Sequence, residues 1–150
     1  MTMQKLCDLC STLSTEFNTA ARKMDTGEFA EFRKRLAVKY NVGFDNGWTL
    51  RVSRRVSDTF TVEQLQVWTQ TKKGLFGKRS GSRIIMTLRS SAVPELAIRC
   101  TSADTALAGC LQTGASVKVT GELEAAAFLR AGNVEWKEGA FGKNVRVSAV

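Results

Sequence analysis

The hydrophobic period changes once along this 150-residue chain, from three- and four-residue spacing before residue 40 to alternation from residue 48 onward. A period near 3.6 specifies helices with one apolar stripe, and a period of two specifies strands with one buried face. The chain is therefore expected to be mainly β with helices at its N-terminal end. Over residues 3–24, Leu6, Leu9, Cys10, Leu13, Phe17, Ala20, Ala21 and Met24 form the stripe of an amphipathic helix. Asp25, with Glu28 three residues later, breaks it in the manner of a capping box. A shorter helix follows, with Phe29, Phe32 and Leu36 on one side. Two helices of this size bury little by themselves, so their stripes must lie on the following segment or on another subunit.

The turn-rich residues 41–47 mark a boundary between a helical hairpin, residues 1–46, and a β domain, residues 47–150. Alternation predicts strands over 48–56, 60–69, 83–89, 95–101, 116–124, 133–137 and 144–149, with one helix at 102–111. Short strands with a helix between the third and fourth give the layout of an OB-fold, a five-stranded barrel. The expected architecture is such a barrel preceded by the helical hairpin.

Between Glu63 and Glu95 there is no acidic residue but six basic ones, Lys72, Lys73, Lys78, Arg79, Arg83 and Arg89, in a chain whose net charge is +8. The overall excess suits ribosomal, membrane-surface and nucleic-acid partners alike, whereas the acid-free window is local and more telling. It reads as a mobile basic loop, KKGLFGKRSGSR, hung between strands. Alternation sends Ile84, Met86 and Leu88 inward, and Arg83, Arg89 and, on the next strand, Arg99 outward. An ordinary solvated face would mix both signs of charge. Trp68 shares a face with Gln64 and Gln66, and Phe76 lies inside the basic loop, so both are candidates to stack on bases. Trp136 and Lys143 are further candidates beside the segment WKEGAFGK. For Trp136, as for Trp48, Phe128 and Phe141, core packing is an equal alternative.

Residues 95–150 resemble the bacterial single-stranded DNA-binding protein family. The likeness rests on TGASVKVTGEL (113–123), then on VEWKEGAFGKNVRVSAV (134–150), and more loosely on FTVEQLQVWTQTKKG and SGSRIIMTLRSS, so that it covers about 58–150. It implies a non-enzymatic protein that coats single strands through a cationic groove and aromatic platforms, often as a homo-oligomer. With no secretory n-region and no apolar run near eighteen residues, the chain is expected to be cytoplasmic. The chain departs from that family in its helical hairpin, in Leu88 to Ala92 standing where a tryptophan is frequent, and in having no glycine- and glutamine-rich acidic tail after residue 150. A divergent relative carried on a mobile element, serving replication, recombination or transfer, is the expectation.

The expected ligand is single-stranded DNA, with RNA open because both offer phosphates and π-faces. The competing reading is an OB-fold protein-interaction module that docks a replication, conjugation or secretion partner through residues 3–40, with Leu6, Leu13, Phe17, Phe29 and Phe32 at the interface. An enzyme is not expected: the chain has no histidine, no P-loop and no G-x-S-x-G elbow. No cofactor or metal is expected either. Cys7 and Cys10 lack a second knuckle, since Cys100 and Cys110 are widely spaced, and they read as reduced thiols packed on a helix face. No apolar run approaches membrane-spanning length.

Overall fold

A computed structural model describes residues 1–45, 49–74, 77–130 and 133–150, with the side chains of all but 69–74, 77–81, 105 and 108. The element order is α1 (Met3–Lys23), α2 (Thr26–Tyr40), β1 (Gly43–Asp45), β2 (Thr49–Gly74), β3 (Gly77–Arg89), β4 (Ile98–Ser102), a 3₁₀ turn (Thr105–Gly109), β5 (Ser116–Arg130), β6 (Asn133–Phe141) and β7 (Arg146–Ala149). The seven strands form one sheet in the order β1-β2-β3-β4-β6-β5-β7, and β2 also pairs with β5. Five strands, β2, β3, β4, β6 and β5, therefore close into a ring, with β1 and β7 added at its margins.

Closure depends on β2 changing partners. Its first half, Thr49 to Thr61, pairs with β5, and its second half, Thr61 to Gly74, pairs with β3 on the other side. The change occurs beside a register shift between Val62 and Gln64, a bulge that leaves Glu63 without a cross-strand partner. An extra residue bends a strand and reverses the phase of its side chains. Leu50, Val52, Val56, Phe60 and Val62 are buried at even positions, whereas beyond the bulge it is Leu65 that pairs with the buried Met86. The two strands expected at 48–56 and 60–69 are thus one. A second bulge, at Lys137, lets both Trp136 and Phe141 turn inward on β6, and that strand runs on to Phe141 instead of turning after Lys137.

The helix expected at 102–111 is shorter, a 3₁₀ turn over Thr105–Gly109, with Asp104 accepting from the backbone N–H of Ala106 at its start. The last strand begins at Arg146, and Val145 sits just before it against Gly121. A Cβ at Gly121 would stand 3.2 Å from the Val145 Cα, so a larger residue there would push against Val145.

The helices and the sheet share one hydrophobic cluster. Met3, Leu6, Cys10, Leu13 and Phe17 of α1 are fully buried in it with Leu50, Phe60, Ile84, Met86 and Leu123 of the strands. Two charges on β2 fix the ends of the hairpin. Asp58 accepts the Met3 N–H at 2.9 Å at the start of α1, and Arg54 donates to the carbonyls of Tyr40 and Asn41 at the end of α2. A carboxylate at a helix N-terminus and a guanidinium at a C-terminus each satisfy orphan backbone groups and oppose the helix dipole. Midway along α1, Ser14 and Asn18 donate to the Arg130 carbonyl at the end of β5, tying the helix to the β5–β6 hairpin. Asp25 caps α2 by accepting the Glu28 N–H at 2.8 Å, as its sequence predicts. Among the described residues no helix is long and apolar enough to cross a membrane.

Because α1 is built into the core, Leu13→Ala should lower unfolding free energy by about 2–5 kcal/mol and leave a single cooperative transition, read by urea denaturation. Asp58→Ala removes a helix-end acceptor and should cost about 1 kcal/mol in the same assay. An unchanged midpoint for Leu13→Ala would mean that α1 does not help cover the sheet.

Candidate nucleic-acid interface

The loop expected at 72–83 is instead a paired ribbon. β4 pairs with β3 only from Ile84 to Leu88, and β5 leaves β2 at Thr61. Beyond those points β2 and β3 continue together from Trp68 opposite Arg83 to Gly74 opposite Gly77, with no further strand on either side among the described residues. Six residue steps of antiparallel strand extend about 20 Å. Ser80, Gly81 and Ser82 carry little β propensity, but the ladder begun on the ring continues through them.

Backbone register fixes which cationic residues meet. Lys72 stands opposite Arg79, and Lys73 opposite Lys78. Like charges at directly opposed positions destabilise a ladder, and no acidic residue exists between 63 and 95 to offset them. The backbone of these four residues is described but their side chains are not, and Phe76 lies outside the described residues altogether, as does Trp48.

At the root of the ribbon the side chains are defined. Trp68 is 43% exposed, and Arg83, its cross-strand partner, is exposed and forms no ion pair among the described residues. Val67, on the opposite face, is 51% exposed, because the ribbon has left the core that the ring encloses.

Below the root, the outer surface carries a belt of residues in continuous register across the ring. Ser53 of β2 pairs with Glu124 of β5, Glu124 with Ala140 of β6, Ala140 with Arg99 of β4, Arg99 with Thr87 of β3, and Thr87 with Gln64 on the far half of β2. Arg83, Arg89 and Arg99 consequently share one side of the sheet, as alternation predicts. They are not equivalent. Arg89 is engaged by Glu63 at 2.9 Å and by the Pro94 carbonyl at 3.2 Å, a pairing across 26 residues that strand alternation could not reveal. Arg99 is exposed and unpaired among the described residues.

Two depressions lie along the belt and meet at Thr87. One is lined by Gln64, Leu65, Gln66, Ile85, Thr87 and Thr113. The other is a groove of about 510 Å³, floored by small residues of β5 and β6 and rimmed by charged ones that include Arg99 and Lys137.

Of the remaining candidates, Trp136 is only 9% exposed and faces the core, the packing alternative open to it; the bulge beside it turns it inward. Lys143 is exposed in the turn between β6 and β7 and lines neither depression. Phe128, by contrast, is half-buried on the outside of β5, with the Lys137 ammonium 3.9 Å from its ring centroid and the Arg130 guanidinium at 5.8 Å. The length of β5, which runs to Arg130 rather than to Glu124, is what brings Phe128 out. Leu6, Leu13 and Phe17, the residues expected at a protein interface, are spent in the core, and Phe29 and Phe32 are partly buried against it.

The thiols offer no nucleophile at neutral pH where they are enclosed. Burial pushes those of Cys10 and Cys100 up to about 12, and burial with the nearby Asp8 and Glu95 raises that of Cys7. Among the described residues no three His, Cys, Asp or Glu side chains converge to hold a metal ion.

Comparison with protein-family models, with curated proteins and with solved structures finds no match to this chain.

Proposed function

We propose that the protein binds single-stranded nucleic acid, DNA in the first instance, without catalysis and with broad sequence tolerance. The observation that carries this reading is the free-standing ribbon on which cationic residues oppose one another in the ladder. Such an arrangement is stabilised by a polyanion and by little else. Lys72, Lys73, Lys78, Arg79 and Arg83 would neutralise phosphates, Arg99 would continue the path onto the ring, and Trp68 beside Arg83 would stack on a base. Phe76 has the residue type for a second platform.

The ring order supports the same conclusion. A ring of five strands in the cyclic order β2-β3-β4-β6-β5, antiparallel except between β4 and β6, with a helical turn before β5, supports reading the fold as an OB-fold. In that frame β3 and β4 take the second and third places, the face that binds oligonucleotides in OB-folds, and the ribbon is an enlarged first hairpin. The likeness to single-stranded DNA-binding proteins in residues 113–123 fits this reading. Homo-oligomers, if formed, would be built at the free edges of β1 and β7. The burial of the α1 stripe weighs against docking through residues 3–40.

A two-stranded ribbon also fits a duplex major groove, which makes duplex binding the second reading. Titration of tryptophan fluorescence with oligo-dT and with duplex of equal length, at two salt concentrations, separates them. Single strands should quench Trp68, and with five phosphate contacts log affinity should fall with log salt at a slope of roughly 3.5. Trp68→Ala should weaken binding by about 1–3 kcal/mol. Arg83→Ala should lower the slope by about 0.7, and Glu63→Gln, which frees Arg89, should raise it by about as much. Tighter binding of duplex than of single strand, or a salt-independent affinity, contradicts the proposal.

A further inference from the structure

The groove beyond Thr87 differs chemically from the ribbon. Its floor is Ala97, Ala126, Gly139 and Ala140, side chains too small to fill the space above them. Its rim carries both signs of charge: Arg51, Arg99 and Lys137 with Glu124 and Glu138. The two carboxylates are not alike. Glu138 lies 3.8 Å from Arg51, which also holds Asp45, whereas Glu124 is exposed and forms no ion pair among the described residues. Through Ala140, Glu124 and the unpaired Arg99 flank the groove on strands two places apart.

We propose that this groove receives one nucleotide of the strand that the ribbon carries, and that Glu124 selects guanine there; the proposal rests on the single-strand reading above. The Watson–Crick edge of an unpaired base is open to side chains. A carboxylate only accepts hydrogen bonds, through two oxygens. Guanine presents N1–H and N2–H side by side and can satisfy both oxygens at once. Adenine and cytosine offer one amino donor next to a ring nitrogen that repels the second oxygen. Thymine and uracil flank their single N3–H with two carbonyls. The alanine floor gives the base an apolar face, and Arg99 and Lys137 on the rim match the phosphates on either side. Continuity with the ribbon comes from Thr87, which lines this groove and also the depression below Trp68.

The test is fluorescence anisotropy with a labelled thymidine strand and with the same strand carrying isolated guanosines. The wild-type protein should bind the guanosine strand about five- to tenfold more tightly, near the lower end expected for a bidentate contact to a base. Inosine in place of guanosine, lacking the N2 amine, should lose most of that ratio. In Glu124→Gln and in Ala140→Leu, which fills the groove, the ratio should fall to about two or less. Salt-dependent binding of the thymidine strand with no gain from guanosine overturns the groove assignment alone. A guanosine preference that persists in both variants also overturns it. Failure to bind either strand overturns this inference together with the function from which it starts.

Discussion

The change of partner along β2 is the constraint on which the rest of the molecule depends. A strand that pairs with β5 for its first half and with β3 for its second supplies both seams of the ring. The bulge at Glu63 makes this sterically workable, since it reverses side-chain phase where the partner changes side and keeps apolar residues inward on both halves. The ladder with β3 then outlasts β4, and the excess is the ribbon. Ring and arm are therefore one continuous piece of backbone pairing.

Lysines on exposed strand edges also serve to prevent edge-to-edge aggregation. Placing Lys72 against Arg79 and Lys73 against Lys78 goes further, because it weakens the ladder that carries them. A two-stranded ribbon without a hydrophobic face is already marginal. Tolerating added repulsion there is consistent with a role that begins when an anion arrives. The opposite arrangement holds at Arg89, where Glu63, at the bulge, neutralises the charge.

The helices and the inward faces of the strands were legible in the sequence because they depend on local period. The α1 stripe, the Asp25 cap and the burial of Ile84, Met86, Leu88, Val117 and Val119 all follow from it. β2 was not legible as one strand, because Asp58, like Arg54 before it, stands at an inward-phase position, and the expected strands broke at residues 57–59 around it. Both are accounted for by the ends of α1 and α2, which no local pattern announces. The side that Trp136 takes was left open for a similar reason: one extra residue at Lys137 decides it. The belt and its groove draw single residues from five strands, so their grouping exists only after the ring closes.

Amide hydrogen exchange tests the central claim most directly, namely that the cationic ribbon is a distinct, marginally stable arm to which single strands bind. In the free protein, amides of residues 68–83 should exchange much faster than those of Ile84 to Leu88 or Val117 to Leu123, and an oligothymidine should slow them selectively. Ribbon amides already as protected as the ring, or protection by the oligonucleotide that appears only elsewhere, would contradict the account.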